Sequence, residues 1–204
     1  MTKARSVTTP HADRPDLPDA DRPDMPVPGR LALPAAVQLT DLGLVLREWD
    51  DDDVPVMAEL FDEPDVARWT PLSAPFDQAA ARTYLDQARR RRAAGTSLQL
   101  AVTVDGLRPL GEILLFATGS AGEVELAYAI GAAHRRQGLA RRSVQLITGY
   151  AYDPLAATRV LLRIAEDNTA SAAAARSAGF VLTQEPPISR AGARDPLRTW
   201  LHQG

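Results

Sequence analysis

The stretch His134-Arg135-Arg136-Gln137-Gly138-Leu139-Ala140-Arg141-Arg142-Ser143 gathers four arginines around one glycine, in a chain whose formal net charge is -3. Guanidinium groups are permanently charged, forked donors that match phosphate oxygens. A helix predicted to open at Gly138 adds backbone N–H groups without partners inside the helix, together with the positive end of its dipole. Gly138 has no Cβ and Ala140 is small, so a phosphate can come close to the backbone. These residues suit the binding of a phosphorylated ligand. Taken alone, the stretch also fits a solvated basic surface. Two common phosphate motifs are missing, because there is no G-x-x-x-x-G-K-[ST] and no G-x-G-x-x-G after a strand.

For this chemistry the helix start must sit at the end of a strand. Residues 123–130 alternate and predict a strand directly before the basic turn. The helix then runs from about 138 to 151, with Leu139, Leu146, Ile147 and Tyr150 at helical spacing. Upstream, 98–104 and 109–116 are β-prone runs around Asp105-Gly106, which predicts a hairpin. A short strand is expected over 44–47 and a helix over 51–61, opened by aspartates 50–53. Those aspartates lack the alternate spacing and distant glutamate of a calcium loop. Residues 65–72 read as a helical turn and a loop, and 75–94 as a helix stopped by Gly95. Downstream come a strand at 159–164, an alanine-rich helix at 169–178 closed by Gly179, and strands at 180–183 and 197–201. Antiparallel hairpins followed by alternating strands and helices predict an α+β fold with a βαβ unit at its centre.

Composition narrows the function further. The chain has 204 residues, 45% of them hydrophobic and 24% charged, enough for one soluble domain with a tail. The acidic balance argues against general nucleic-acid binding. There is no cysteine, which excludes disulfides, thiolate metal sites and a cysteine nucleophile. His11, His134 and His202 are too far apart for a local metal motif. No apolar run reaches the roughly 18 residues of a membrane span, and no secretory signal is present, so a cytoplasmic protein is expected. Residues 1–35 repeat a Pro/Asp/Arg unit, 12–18 returning as 20–26. They are expected to form a disordered tail, or a docking peptide, ahead of a domain spanning 36–204.

Arg135-Arg136-Gln137-Gly138-Leu139-Ala140 resembles the [RQ]-x-x-G-x-[GA] signature of the GNAT family of acyl-CoA-dependent N-acetyltransferases. Asn168-Thr169-Ala170-Ser171, followed by Gly179-Phe180, is similar to the N-x-x-S…G-F segment of the RimJ/RimL branch, which acetylates ribosomal-protein N-termini. The segments "LREW", "VARWTPL" and "PLGEI" also look like that branch, so the resemblance covers about residues 40–201. It implies the GNAT fold, a mixed central sheet flanked by helices, and acetyl-CoA as cosubstrate with no metal. It also implies that Ala129 and Ile130 pair with the pantetheine arm where two strands splay, that Arg135 to Ala140 cradle the pyrophosphate, and that Asn168 contacts the cofactor. An amine acceptor is the other partner, with the protein a monomer or homodimer.

Acetyl transfer to an amine requires a proton acceptor and a proton for the departing thiolate. Glu125 and Glu112, on the two central strands, are the candidate bases. In many GNAT enzymes a tyrosine seven residues after the asparagine supplies the proton, but Ala175 stands there, so the resemblance points to Ser171 instead. Arg141 is a second departure, at a position where the branch often has glutamate. Trp49, Trp69 and Phe76 fall in segments that form the acceptor cleft of related enzymes. The reading is direct transfer of an acetyl group to a primary amine, either a protein N-terminus or a small amine. The alternative is a non-catalytic acyl-CoA-binding or regulatory module.

Overall fold

Residues 29–72, 74–190 and 193–204 are described by a computed structural model. In chain order the strands are β1 (Gln38–Asp41), β2 (Leu44–Glu48), β3 (Ser97–Thr103), β4 (Gly111–Ala117), β5 (Glu123–Ile130), β6 (Arg159–Ala165), β7 (Phe180–Leu182) and β8 (Leu197–His202). The helices are α1 (Val54–Phe61), α2 (Pro64–Trp69), α3 (Gln78–Ala93), α4 (Leu139–Tyr152) and α5 (Thr169–Ser177). The strands make one mixed sheet in the order β1-β2-β3-β4-β5-β6-β8-β7. Within it β5 and β6 run parallel, joined by the α4 crossover, while the other neighbours are antiparallel.

Side chains alternate along a strand, so the register assigns each residue to a face. Ser97 and Gln99 of β3, Glu112 of β4, Glu125 of β5, Arg163 of β6 and Thr199 of β8 share one face. The opposite face carries Leu98, Leu100, Ile113, Leu115, Leu126 and Leu162, packed with Val144 and Ile147 of α4 and Ala172 and Ala175 of α5. Burying each large side chain there contributes about 1.5–3 kcal/mol. The polar face is covered instead by α1, α2 and α3, whose apolar residues pack around Met57, Phe61 and Leu85. One face of the sheet is therefore all packing, and the other holds charged groups under a roof of helices.

Most predicted elements appear, with shifted ends. The helix expected over 51–61 begins as a 3-10 turn, Asp51–Asp53, capped by Asp50, before α1. The Asp105-Gly106 hairpin closes through a wider loop, in which Asp105 accepts hydrogen bonds from the Leu107 and Arg108 amides. Strand β1 was not expected. It joins β2 through Leu42 (φ 53) and Gly43 (φ 68), both left-handed, as a tight hairpin turn demands.

Of the stretch expected to be disordered, residues 1–28, including the duplicated unit, lie outside the described residues. Its end is tied to the domain: the Leu31 amide donates to Gly95 O at 2.6 Å, and Arg92 reaches the Pro34 and Ala35 carbonyls. Among the described residues no helix is long and apolar enough to cross a membrane. No group of three or more metal-ligating side chains comes together among them.

Candidate active site

The β5–β6 ladder stops at Leu126↔Leu162, although β5 continues to Ile130 and β6 to Ala165. On its other side β5 stays paired with β4 as far as Gly111↔Ile130. The parallel strands therefore diverge while β5 remains anchored, and its outer edge from Ala127 onward is left without a neighbouring strand. A cavity of about 620 Å³ opens at this edge, between the start of α4 and one side of α5. Tyr128 spans the gap, its hydroxyl donating to the Ser171 carbonyl at 3.3 Å.

The start of α4 forms one wall. Gly138 (φ 71) and Arg136 (φ 61) are both left-handed, the kind of backbone that builds concave, anion-binding turns. The four arginines have different fates. Arg135 donates to Asp65 at 2.6 Å and to Ile130 O at 3.1 Å. Arg142 is spent on the Leu42, Gly43 and Gln137 carbonyls. Arg136 and Arg141 are exposed and line the cavity with Gly138, Leu139, Ala140 and the Asp65-bound Arg135. Gln137 does not line it. Two charged forks and a helix N-terminus at the mouth of a strand split fit a pyrophosphate with an extended arm.

Asn168 is the N-cap of α5, its Oδ1 accepting the Ser171 amide at 3.1 Å. This fixes both residues at the seam between the first cavity and a second one of about 470 Å³. The two cavities share Trp69, Thr70, Tyr128, Ala129, Asn168 and Ser171 on their walls. Ala127 and Ala129 keep the β5 face small there, which leaves room beneath the helices.

Both candidate carboxylates line the second cavity, and both are 2% exposed. Their partners differ. Glu112 accepts from Trp49 Nε1 at 2.9 Å and from the Tyr84 hydroxyl at 2.7 Å, which are neutral donors. Burial pushes its carboxyl up to about 8, against the downward pull of those two bonds. The Tyr84 hydroxyl is in turn raised well above its usual value, by its own burial and by Glu112. Glu125 is held by Arg190 through Nη1 at 2.7 Å and Nη2 at 2.6 Å, and by Arg163 Nε at 3.1 Å. Those three charged bonds occupy both of its oxygens. The two carboxylates thus stand in different surroundings, Glu112 among neutral donors and Glu125 among guanidiniums.

Of the three aromatic residues expected in the acceptor cleft, Trp69 lines both cavities, with Arg68 stacked 4.3 Å from its ring. Trp49 and Phe76 do not line the cleft. They are 6% and 4% exposed and pack edge-on against Phe61 in the core beneath the helices. Trp49 reaches the site only through its indole N–H. Sequence reasoning missed Tyr84, Tyr128, Arg163 and Arg190, for which no local motif exists.

Residues 43–181 match the family of acetyltransferase (GNAT) domains. A search of curated proteins finds no match. Among solved structures, RimL, the ribosomal alpha-N-protein acetyltransferase in complex with coenzyme A, superposes with a TM-score of 0.70 at 18% identity, over 81% of this chain and 97% of that one. RimJ of Mycobacterium smegmatis with CoA-disulfide gives 0.68 at 17% identity, covering 81% and 84%. A GNAT-family acetyltransferase from Bacillus anthracis gives 0.68 at 14% identity, covering 81% and 96%. At such identities the likeness carries the fold.

Proposed function

Since this chain belongs to the GNAT acetyltransferase family, we propose that it transfers an acetyl group from acetyl-CoA to a primary amine by direct attack in a ternary complex. The observation that carries this reading is the meeting of two cavities at Tyr128, Ala129, Asn168 and Ser171, one with a basic helix start and the other with Glu112. The α4 amides, Arg136 and Arg141 hold the pyrophosphate. The free edge of β5 at Ala129 and Ile130 receives the pantetheine arm, and Asn168 positions it at the seam. With no cysteine in the chain, an acetyl-cysteine intermediate cannot form.

Glu112 is the proton acceptor. A carboxyl titrating near 8 has the basicity to take a proton from an attacking ammonium near neutral pH, which a carboxylate of ordinary pKa does poorly. Trp49 and Tyr84 orient it. Ser171 is the proton donor to the departing thiolate, with its backbone fixed by Asn168 and Tyr128 so that the hydroxyl stays at the seam. Glu125 takes no proton in this scheme and serves to hold Arg163 and Arg190 in place. The acceptor is a protein N-terminus, a reading favoured by the RimJ and RimL neighbours.

The test is calorimetric titration with acetyl-CoA of the parent protein and of Gly138→Glu, followed by turnover with peptides and small amines. Released CoA can be read with a thiol reagent, because the protein contributes no thiol background. Binding that the substitution abolishes, together with turnover of an amine, is the expected result. A parent protein that binds acetyl-CoA but acetylates no amine would point to a binding module, and one that binds no acyl-CoA would overturn the reading of the site.

A further inference from the structure

In the second cavity two guanidiniums share one carboxylate, and the surplus charge faces the space where the acceptor must enter. We propose that Arg163 and Arg190, ordered by Glu125, select an acceptor that carries its own carboxylate at a distance from the reacting amine: a peptide N-terminus with Asp or Glu at its second or third position. This rests on the second cavity being the acceptor cleft of the acetyl transfer.

Charge on the cavity wall is the first argument. Its charged residues are Arg91, Glu112, Glu125, Arg163 and Arg190. Glu112 is protonated below about 8, which leaves three guanidiniums against one carboxylate. The Glu125 oxygens are filled by Arg190 Nη1 and Nη2 and by Arg163 Nε, and Arg163 Nη1 also reaches Thr199 Oγ1 at 3.3 Å. Arg163 Nη2 and Arg190 Nε take part in none of these bonds. A guanidinium has five donors, and one whose side chain is only 16% exposed, as in Arg163, calls for more acceptors than half a carboxylate. A purely structural pair would need one arginine for one glutamate. Arg190 is further fixed by lying 5.6 Å over the Phe116 ring, so it is held in place at the cavity wall.

Spacing along the sheet sets the length of the acceptor. Glu112 lies opposite Ala129, and Glu125 is four residues back along β5, roughly 13 Å at about 3.3 Å per residue. Arg163 stands two residues beyond the partner of Glu125 on β6, near the start of the split. Along the strands, an amine at Glu112 and an anion at the guanidiniums are therefore roughly 7–13 Å apart, with one to two strand spacings of about 4.8 Å added across the sheet. The ammonium and carboxylate of a free α-amino acid are held only about one Cα spacing apart, roughly 4 Å, and cannot bridge this. A peptide gains about 3.3–3.6 Å for each added residue, so an acidic side chain at position two or three reaches.

The experiment compares short peptides identical except for Glu, Gln or Lys at the second and third positions, with a free ω-amino acid as a further acceptor. The parent protein should prefer the Glu peptide over the Gln peptide by about tenfold or more in kcat/KM, with the difference in KM and shrinking as salt rises. Arg190→Gln and Arg163→Gln should bring the ratio toward one, and Arg190→Lys should restore part of it. Acetyl-CoA affinity, measured in parallel, reports whether each variant is folded. Equal rates for the Glu and Gln peptides overturn the proposal, as does a preference that survives both arginine changes. Faster acetylation of the ω-amino acid overturns the peptide assignment. If a variant does not fold, the parent's ratio and its salt dependence decide. Failure to acetylate any acceptor would instead strike the acetyltransferase reading itself.

Discussion

Replacing Glu112 with Gln should sharply slow turnover and, in alkaline solution, make the protein more stable. The carboxyl is 2% exposed, and burial moves its titration from 4.5 to about 8. In the folded chain it holds its proton up to about pH 8, whereas in the unfolded chain it releases it above 4.5. The raised pKa means that the folded state binds the proton more tightly. Its contribution to stability is thus fully present below 4.5 and is lost as pH rises through about 8. The shift, about 8 less 4.5, is about 3.5 units, and at about 1.4 kcal/mol per unit it amounts to about 5 kcal/mol across the window. That is a large share of the roughly 5–15 kcal/mol that holds a domain together. Glutamine keeps the shape and has no proton to lose. Urea denaturation of both proteins from about pH 5 to about pH 9 should show the variant gaining on the parent by up to about 1.4 kcal/mol per pH unit. Over the same range the parent's kcat/KM should rise toward pH 8, and the variant's should lie about 10²–10⁴-fold lower. A stability difference that stays flat with pH refutes the titration, and full activity in the variant refutes the assignment of the base.

The two donors to Glu112 lower its pKa, Tyr84 more than Trp49. The rising limb of the kcat/KM profile should therefore move to higher pH in Tyr84→Phe, and by less in Trp49→Phe. Arg136→Ala and Arg141→Ala should weaken acetyl-CoA binding by calorimetry, by about 1–3 kcal/mol each if they hold phosphate. Arg135→Ala and Arg142→Ala should act mainly on thermal stability, because these two are tied to Asp65 and to the β1–β2 turn. Ser171→Ala should reduce kcat with little change in acetyl-CoA affinity, measured by pre-steady-state release of CoA. Glu125→Gln leaves the mostly buried Arg163 and the exposed Arg190 without their carboxylate. It should cost about 1–3 kcal/mol in denaturant unfolding, less than a fully buried pair because Arg190 is screened by solvent, while acetyl-CoA affinity stays near that of the parent.

The order of strands and helices was readable because each long element carries its own period. The start of α4 and the Asn168–Ser171 corner were readable because the residues that build them are contiguous. Strand β1 was hidden by Leu42, which takes a left-handed position where Asn or Gly would have announced a turn. The contrast between the surroundings of the two carboxylates was hidden for a different reason. Glu112 and Glu125 sit in the same kind of strand, on the same face, at the same exposure, and differ only in partners distant in sequence. Trp49 is 63 residues from Glu112, and Arg190 is 65 from Glu125. The arginines around Gly138 look equivalent in the sequence for the same reason, since what separates Arg135 from Arg136 is Asp65, 70 residues away.

One physical rule connects these features. A carboxylate removed from water must either shed its charge or have that charge compensated, and the choice of neighbour decides which. Neutral donors give Glu112 hydrogen bonds without countercharge, so the proton becomes easy to hold and the group is suited to exchanging it. Guanidiniums give Glu125 countercharge in excess, so its oxygens are occupied and what remains to react with the cavity is the cations. The sheet can carry both because its other face takes the apolar packing with α4 and α5, leaving this face free to be polar. The divergence of β5 from β6 then brings the cavity that both carboxylates line into contact with the first cavity, at Tyr128, Ala129, Asn168 and Ser171. Glu112 and Glu125 are separated along one sheet face by four residues, a spacing fixed by backbone pairing rather than by any flexible side chain.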